Sequence, residues 1–216
     1  MNLTKIMLIK ILIAVAVTTA FAQNKQKPED FLPEGYIIYE EIRGDLNKDG
    51  VEDLVLYIKG TDTSLLETDH LGRELDFNRG GIIVLFNKNG TYELASKNYD
   101  CFSPEDEDDS FSVIIEIKKN ILYIFYSYGK YGYTKYTFRW QNKDFELIGC
   151  DSSNNRGATI LDKTSINFST KKKLETLYTD DEENTVYKET WTNISIDKLI
   201  RLSEIEDVGK MGLSKY

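Results

Sequence analysis

Five residues in one short stretch of this chain carry the groups that hold a hard cation. In Asp45-Leu46-Asn47-Lys48-Asp49-Gly50-Val51-Glu52-Asp53, oxygen-bearing side chains alternate through Asp45, Asn47 and Asp49 and return at Asp53. Calcium takes several oxygen ligands, and a tight loop supplies them by turning alternate side chains inward. Asp45, Asn47 and Asp49 are the first three candidate ligands, the backbone carbonyl of Val51 is the fourth, and Asp53 closes the set. Gly50 sits where the chain must turn sharply, a conformation that a Cβ resists. The reading without a metal is a solvated acidic turn, since Asn and Asp also bond their own backbone in turns.

The residues just after the loop separate two kinds of calcium site. An EF-hand or dockerin loop requires an acid at position 12, at the entry to a helix. Here that position is Leu56, within the strand-like run Leu54-Val55-Leu56-Tyr57-Ile58. The segment instead resembles the calcium loops of FG-GAP and VCBS-type repeats, as in integrin-α propellers. There an Asp-x-Asn/Asp-x-Asp-Gly-x-x-Asp loop joins two β-strands, and all five positions match. The likeness is confined to the loop and its flanks. A propeller needs about four or more blades, and one such loop does not supply them. More broadly, the chain resembles exported bacterial β-rich proteins that carry one loop of this kind near the N-terminus. The resemblance implies a structural calcium ion, Ca2+ held by side chains that fill its coordination sphere. It implies no activity.

Other candidate chemistry is sparse. His70 is the only histidine and lies in a polar stretch with no nucleophile signature beside it. Neither a Gly-x-Ser-x-Gly elbow, a phosphate loop, a dinucleotide fingerprint nor a His-Glu-x-x-His pair is present. A carboxylate-pair hydrolase stays open, because 36 acids offer many pairs. Cys101 and Cys150 each follow a predicted strand and form either a disulfide or two buried thiols. With one histidine they do not make a usual zinc site. Tyr128, Tyr131 and Tyr133 crowd a turn containing Gly129 and Gly132, where exposed rings would stack on a sugar or hold a peptide. The plainer reading of this stretch is a tyrosine-rich sheet, since tyrosine is a common strand residue.

The elements that position these groups read as strands. The chain has 216 residues, 41% hydrophobic and 12% aromatic, enough for one packed core. Runs rich in Ile, Val, Tyr, Phe and Thr predict strands over 36–39, 53–58, 81–86, 91–94, 112–117, 121–126, 133–141, 145–148, 165–168, 173–178 and 185–194. Asn89-Gly90 is a hairpin turn signal. Lys118-Lys119-Asn120, Gln141-Asn142-Lys143-Asp144 and Asp180-Asp181-Glu182-Glu183-Asn184 separate further runs. Residues 60–80 and 100–111 are expected to be long loops. Apolar Ile196, Leu199, Ile200 and Leu202 behind Ser195 predict a short C-terminal helix over 196–206. The expected fold is all-β, an antiparallel meander forming a sandwich or a partial propeller-like stack, with that helix. Two weak echoes, Phe86–Leu94 against Trp140–Leu147 and Asn78-Arg79-Gly80 against Asn155-Arg156-Gly157, are too few to define a repeat.

The N-terminus reads as an export signal. Lys5 and Lys10 precede the apolar run Ile11–Val17, and Ala20-Phe21-Ala22 is a small-x-small cleavage pattern. The expected organisation is a signal peptide over 1–22, a polar leader over 23–35 and a single β-rich domain over 36–210. Cleavage removes two lysines and no acid, taking the net charge from −9 to −11. The mature product is expected in the periplasm or secreted, without membrane insertion. Its acidity argues against nucleic acid as a partner, which normally demands a basic face. The leading functional expectation is a calcium-binding, non-catalytic module for a protein or glycan partner. A glycan-binding accessory role for the tyrosine stretch and a carboxylate-dependent hydrolase are the alternatives.

Overall fold

The computed structural model describes residues 27–104, 112–181, 184–211 and 216. The expected signal segment, the acidic stretch Glu105–Asp109 and the tip of the last predicted hairpin lie outside the described residues. Among the described residues thirteen strands succeed one another: β1 (Tyr36–Gly44), β2 (Asp53–Gly60), β3 (Leu66–Thr68), β4 (Glu74–Asp76), β5 (Gly80–Lys88), β6 (Thr91–Phe102), β7 (Ser112–Lys118), β8 (Ile121–Ser127), β9 (Gly132–Gln141), β10 (Asp144–Arg156), β11 (Thr159–Asn167), β12 (Lys172–Asp181) and β13 (Asn184–Asn193). A four-stranded sheet runs β1-β2-β5-β6, and a seven-stranded sheet runs β13-β12-β11-β10-β9-β8-β7. The small hairpin β3-β4 falls inside the segment expected to be a loop. Every pairing is antiparallel. The fold is all-β, as the sequence predicts.

Turn chemistry explains the meander. Asn89 and Gly90, Lys119 and Asn120, and Asn142 and Lys143 all have positive φ at consecutive positions. Two left-handed residues in a row twist a two-residue loop to match the strands it joins, so each is a tight hairpin. Strand alternation then sorts the faces. In β8, Leu122, Ile124 and Tyr126 are buried while Ile121, Tyr123 and Phe125 are partly exposed. The inner faces of the two sheets share one core, in which Val55, Tyr57, Val84 and Phe86 meet Leu122, Ile124, Phe138 and Phe145. The Phe86 and Trp140 rings meet edge to face with centroids 4.9 Å apart. They occupy matching places before the two turns, so the first sequence echo marks two like hairpins, one from each sheet.

Strands β2 and β5 are buried on both faces. Leu54, Leu56, Ile58, Ile83 and Leu85 form a second cluster on the outer side of the small sheet, with Phe31, Leu32, Tyr36 and Tyr99 packed against it. That accounts for their unbroken apolar runs, which lack the period of two.

The expected C-terminal helix is not formed. After β13 the chain crosses the molecule as an irregular segment with two short 3-10 turns, Leu202–Glu204 and Val208–Lys210. Its backbone finds partners elsewhere in the chain. Leu147 N donates to Ile200 O at 2.8 Å, where β10 runs past the end of its pairing with β11. The Asn98 side-chain amide donates to the carbonyls of Leu202 and Ile205 at 2.8 and 2.7 Å. Arg79 donates to Glu206 O at 3.0 Å. Meanwhile Leu202, Ile205 and Val208 enter the shared core. The apolar spacing that suggests a helix serves instead to bury a strap between two sheets. The second echo also dissolves here: Arg79 anchors the strap, whereas Gly157, with φ of 64°, turns the β10–β11 hairpin.

No helix among the described residues is long and apolar enough to cross a membrane.

Candidate metal loop and its surroundings

The 45–53 loop joins two antiparallel neighbours, β1 and β2, whose register closes at Gly44 opposite Asp53. Leu56 lies in β2 and is fully buried, so the loop leads into a strand rather than a helix. The backbone turns left-handed at Lys48 and Gly50, with φ of 68° and 84°. Alternate side chains bond forward to the amides this curl exposes. Asp45 Oδ1 accepts from Lys48 N at 2.6 Å and its Oδ2 from Gly50 N at 3.2 Å. Asn47 Oδ1 accepts from Asp49 N at 2.8 Å, and Asp49 Oδ1 from Val51 N at 3.0 Å. Each short polar side chain holds a local N–H, which is why these residue types favour turns.

Asp53 does something different. It is fully buried. Its Oδ2 accepts from Leu46 N at 2.8 Å and Asn47 N at 3.2 Å, and its Oδ1 accepts from Asn87 N at 3.0 Å. A longer contact, 3.4 Å, comes from the Asn47 side-chain amide. One carboxylate thus ties the loop to the β5–β6 hairpin. Burial holds its pKa above the ordinary value, against the opposing pull of the Leu46, Asn87 and Asn47 amides. Exposed Asp49 is shifted down, first by the Val51 amide and then by Lys88.

Three residues outside the loop complete the surroundings, and no sequence signal pointed to them. Lys88 Nζ lies 3.1 Å from Asp49 Oδ2. The Asn87 side-chain amide donates to Glu52 O at 3.1 Å. From the other sheet, the Asn120 amide donates to Asp45 O at 2.8 Å. Asn87-Lys88 and Asn120 read only as turn residues, because nothing local records which loop they face.

Does this donor set fit calcium? The groups are all oxygens and suit a hard cation. Asp45, Asn47 and Asp49 stay near the surface, and the Val51 carbonyl belongs to the same curl. Asp53, however, is already engaged on both oxygens, and the Lys88 ammonium stands at Asp49. Among the described residues no three His, Cys, Asp or Glu side chains come together as a metal-holding group. The donor types of Asp45, Asn47, Asp49 and the Val51 carbonyl suit a cation, but the three side chains already accept from the loop's own amides, and Asp53 braces the loop from beneath.

The remaining sequence candidates are dispersed. Tyr128 lines a cavity on the inner face of the large sheet together with Thr134 and Tyr136. Tyr133, one residue out of phase, is on the opposite face, stacked on Phe125 at 5.3 Å. Tyr131 is exposed on a 3-10 turn with Lys130 Nζ 5.2 Å from its ring centre. The three rings do not form one platform. Cys101 and Cys150 are both buried free thiols in the shared core. Burial raises both pKa values, that of Cys150 to about 12. His70 is exposed.

Two further acids, Asp144 and Glu146, are buried, and neighbouring groups engage both. Asp144 accepts from Ser96 Oγ at 2.6 Å, from its neighbour Phe145 N at 2.7 Å and from the Ser203 hydroxyl. Glu146 accepts from Gln141 at 2.6 Å and Asn142 at 3.1 Å, and faces Arg201 at 3.8 Å. Both fasten the strap to β10.

Comparison of the chain with protein-family models, curated proteins and solved structures returned no match.

Proposed function

We propose that this protein is an exported, non-catalytic binding or interaction module in which the 45–53 loop takes one calcium ion as a structural brace. The observation that supports this reading most directly is the loop's course. It curls through Gly50 between two strands with Asp45, Asn47 and Asp49 turned alternately onto it. Calcium would draw on those three side chains and the Val51 carbonyl, displacing the Lys88 ammonium from Asp49. Bound there, the ion would supply charge that the loop's own amides and Lys88 only partly offset. The signal-like N-terminus and the acidic mature chain support export.

Extracellular calcium modules bind at about 10⁻⁴–10⁻³ M. At 10 mM calcium that affinity stabilises the folded state by about 1.4–2.7 kcal/mol, a rise of several degrees in melting temperature. Thermal unfolding of the mature chain in calcium and in chelator measures it. Asp49→Ala should abolish the difference, and Lys88→Gln should enlarge it by removing the competing ammonium. Identical melting of the wild-type chain in calcium and in chelator would overturn the proposal.

A further inference from the structure

The seven-stranded sheet is wider than the four-stranded sheet packed on it, and part of its inner face is left to a cavity. This space, about 550 Å³, is roofed by Gly209–Met211 at the end of the strap and floored by β9 to β12. Its volume falls in the range of small-ligand pockets, about 300–1,000 Å³.

Strand register decides what the floor presents. Thr134 on β9 is opposite Ser152 on β10, Ser152 is opposite Thr164 on β11, and Thr164 is opposite Glu175 on β12. Four polar side chains therefore stand in one row across four strands. The next row, two residues along, is Tyr136, Cys150, Ile166 and Lys173. Three hydroxyls beside a mostly apolar strip give a floor with one polar and one greasy band.

The hydroxyls of Thr134, Ser152 and Thr164 have no hydrogen-bond partner among the described residues, although all three are half-buried. Elsewhere in this chain comparable hydroxyls are used: Ser96 and Ser203 on Asp144, and Ser165 on Asp151. Partly enclosed hydroxyls without protein partners require water or a ligand. Charge narrows the choice. Lys173 and Glu175 neutralise each other at 2.8 Å. Lys210 at the rim is held by Asp207 at 3.4 Å and Ser103 at 3.2 Å. Among the described residues that line the cavity, no unpaired cation is left to attract an anion. Strands lie about 4.8 Å apart, close to the separation of alternate equatorial hydroxyls on a pyranose ring. Tyr128 supplies an aromatic wall of the kind sugars stack on.

We propose that this cavity binds a neutral polyhydroxylated molecule, a mono- or disaccharide, across the Thr134–Ser152–Thr164 row. The site is separate from the 45–53 loop and stands whether or not that loop takes calcium.

Saturation-transfer NMR on the mature chain tests it, with a panel of glucose, galactose, mannose, N-acetylglucosamine, maltose and cellobiose. Orthophosphate and glucose 6-phosphate serve as charged comparators. At least one neutral sugar should show transfer, and Thr164→Val and Ser152→Ala should each weaken it about tenfold by removing one hydrogen bond. Thr137→Val, on the opposite face of β9, should leave it unchanged. Melting curves establish that each variant is folded, and Ser152→Ala alone suffices should Thr164→Val unfold. Absence of transfer from every neutral sugar, preference for the phosphates, or wild-type binding by Ser152→Ala would each overturn the proposal.

Discussion

Asp53 offers the sharpest test of how the loop is held. Replacing it with Asn keeps the shape and removes one acceptor oxygen. If the remaining oxygen faces Leu46 N and Asn47 N, the new amide group points at Asn87 N, donor against donor. A backbone amide left unpaired inside a protein costs about 1–3 kcal/mol. For a domain of this size a 2 kcal/mol loss lowers the melting temperature by about 4–8 °C. Asp53→Ala removes all three backbone partnerships, and its cost of about 3–9 kcal/mol approaches a whole domain's stability of about 5–15 kcal/mol. Urea unfolding followed by tryptophan fluorescence reads both, since Trp140 packs on Phe86 and Phe145 in the shared core. Chelator should be present throughout, so that the clamp is measured without the ion. A loss below about 0.5 kcal/mol for Asp53→Asn, the range of an ordinary surface change, would refute the argument that this carboxylate pins three amides.

The packing carries three further expected outcomes. Cys101 and Cys150 should resist a thiol reagent at pH 8 in the folded chain and titrate as two free thiols in denaturant without reductant; no reactive thiol after unfolding would mean that they are bonded. Gly81→Ala should cost about 2 kcal/mol or more, because an added Cβ would lie 2.2 Å from Tyr99 O across the β5–β6 irregularity; chemical denaturation checks it. Tyr36 donates to Asp100 at 2.7 Å, and burial together with this acceptor raises its pKa to about 12. The folded state favours the neutral phenol, so this contribution is intact below about pH 10 and is lost as pH rises towards 12. Tyr36→Phe should flatten the alkaline fall in melting temperature, and an unchanged pH profile would contradict the assignment.

What the sequence disclosed and what it hid divide along the range of the interactions. Hairpin turns are local: Asn89-Gly90 is legible through residue types that tolerate left-handed backbone, and Asn142-Lys143 as a polar break between apolar runs. Strand cores were legible for the same reason. Strand ends were not: β10 runs on through Asp151-Ser152-Ser153-Asn154-Asn155-Arg156, whose polar composition reads as loop until neighbours on both sides supply its hydrogen bonds. The strap misled because Ile196, Leu199, Ile200 and Leu202 are spaced as on a helix, while the groups that settle its backbone, Asn98 and Arg79, are about a hundred residues away. The loop's alternating ligands were visible. That Asp53 would turn inward to grip Asn87 was not, since that partner lies 34 residues on. The hydroxyl row depends on the register of two strand pairs and leaves no trace in any one segment.

The strap has a consequence for how this molecule is made. Residues 194–211 come after all thirteen strands in the order of synthesis, yet they thread the seam where the two layers meet. Until they emerge, the layers can associate but cannot seal, and oily surface stays accessible to chaperones or to other nascent chains. Contacts spanning such distances close slowly. The strap therefore closes the seam between the two layers, and a chain halted before residue 194 would leave that seam open.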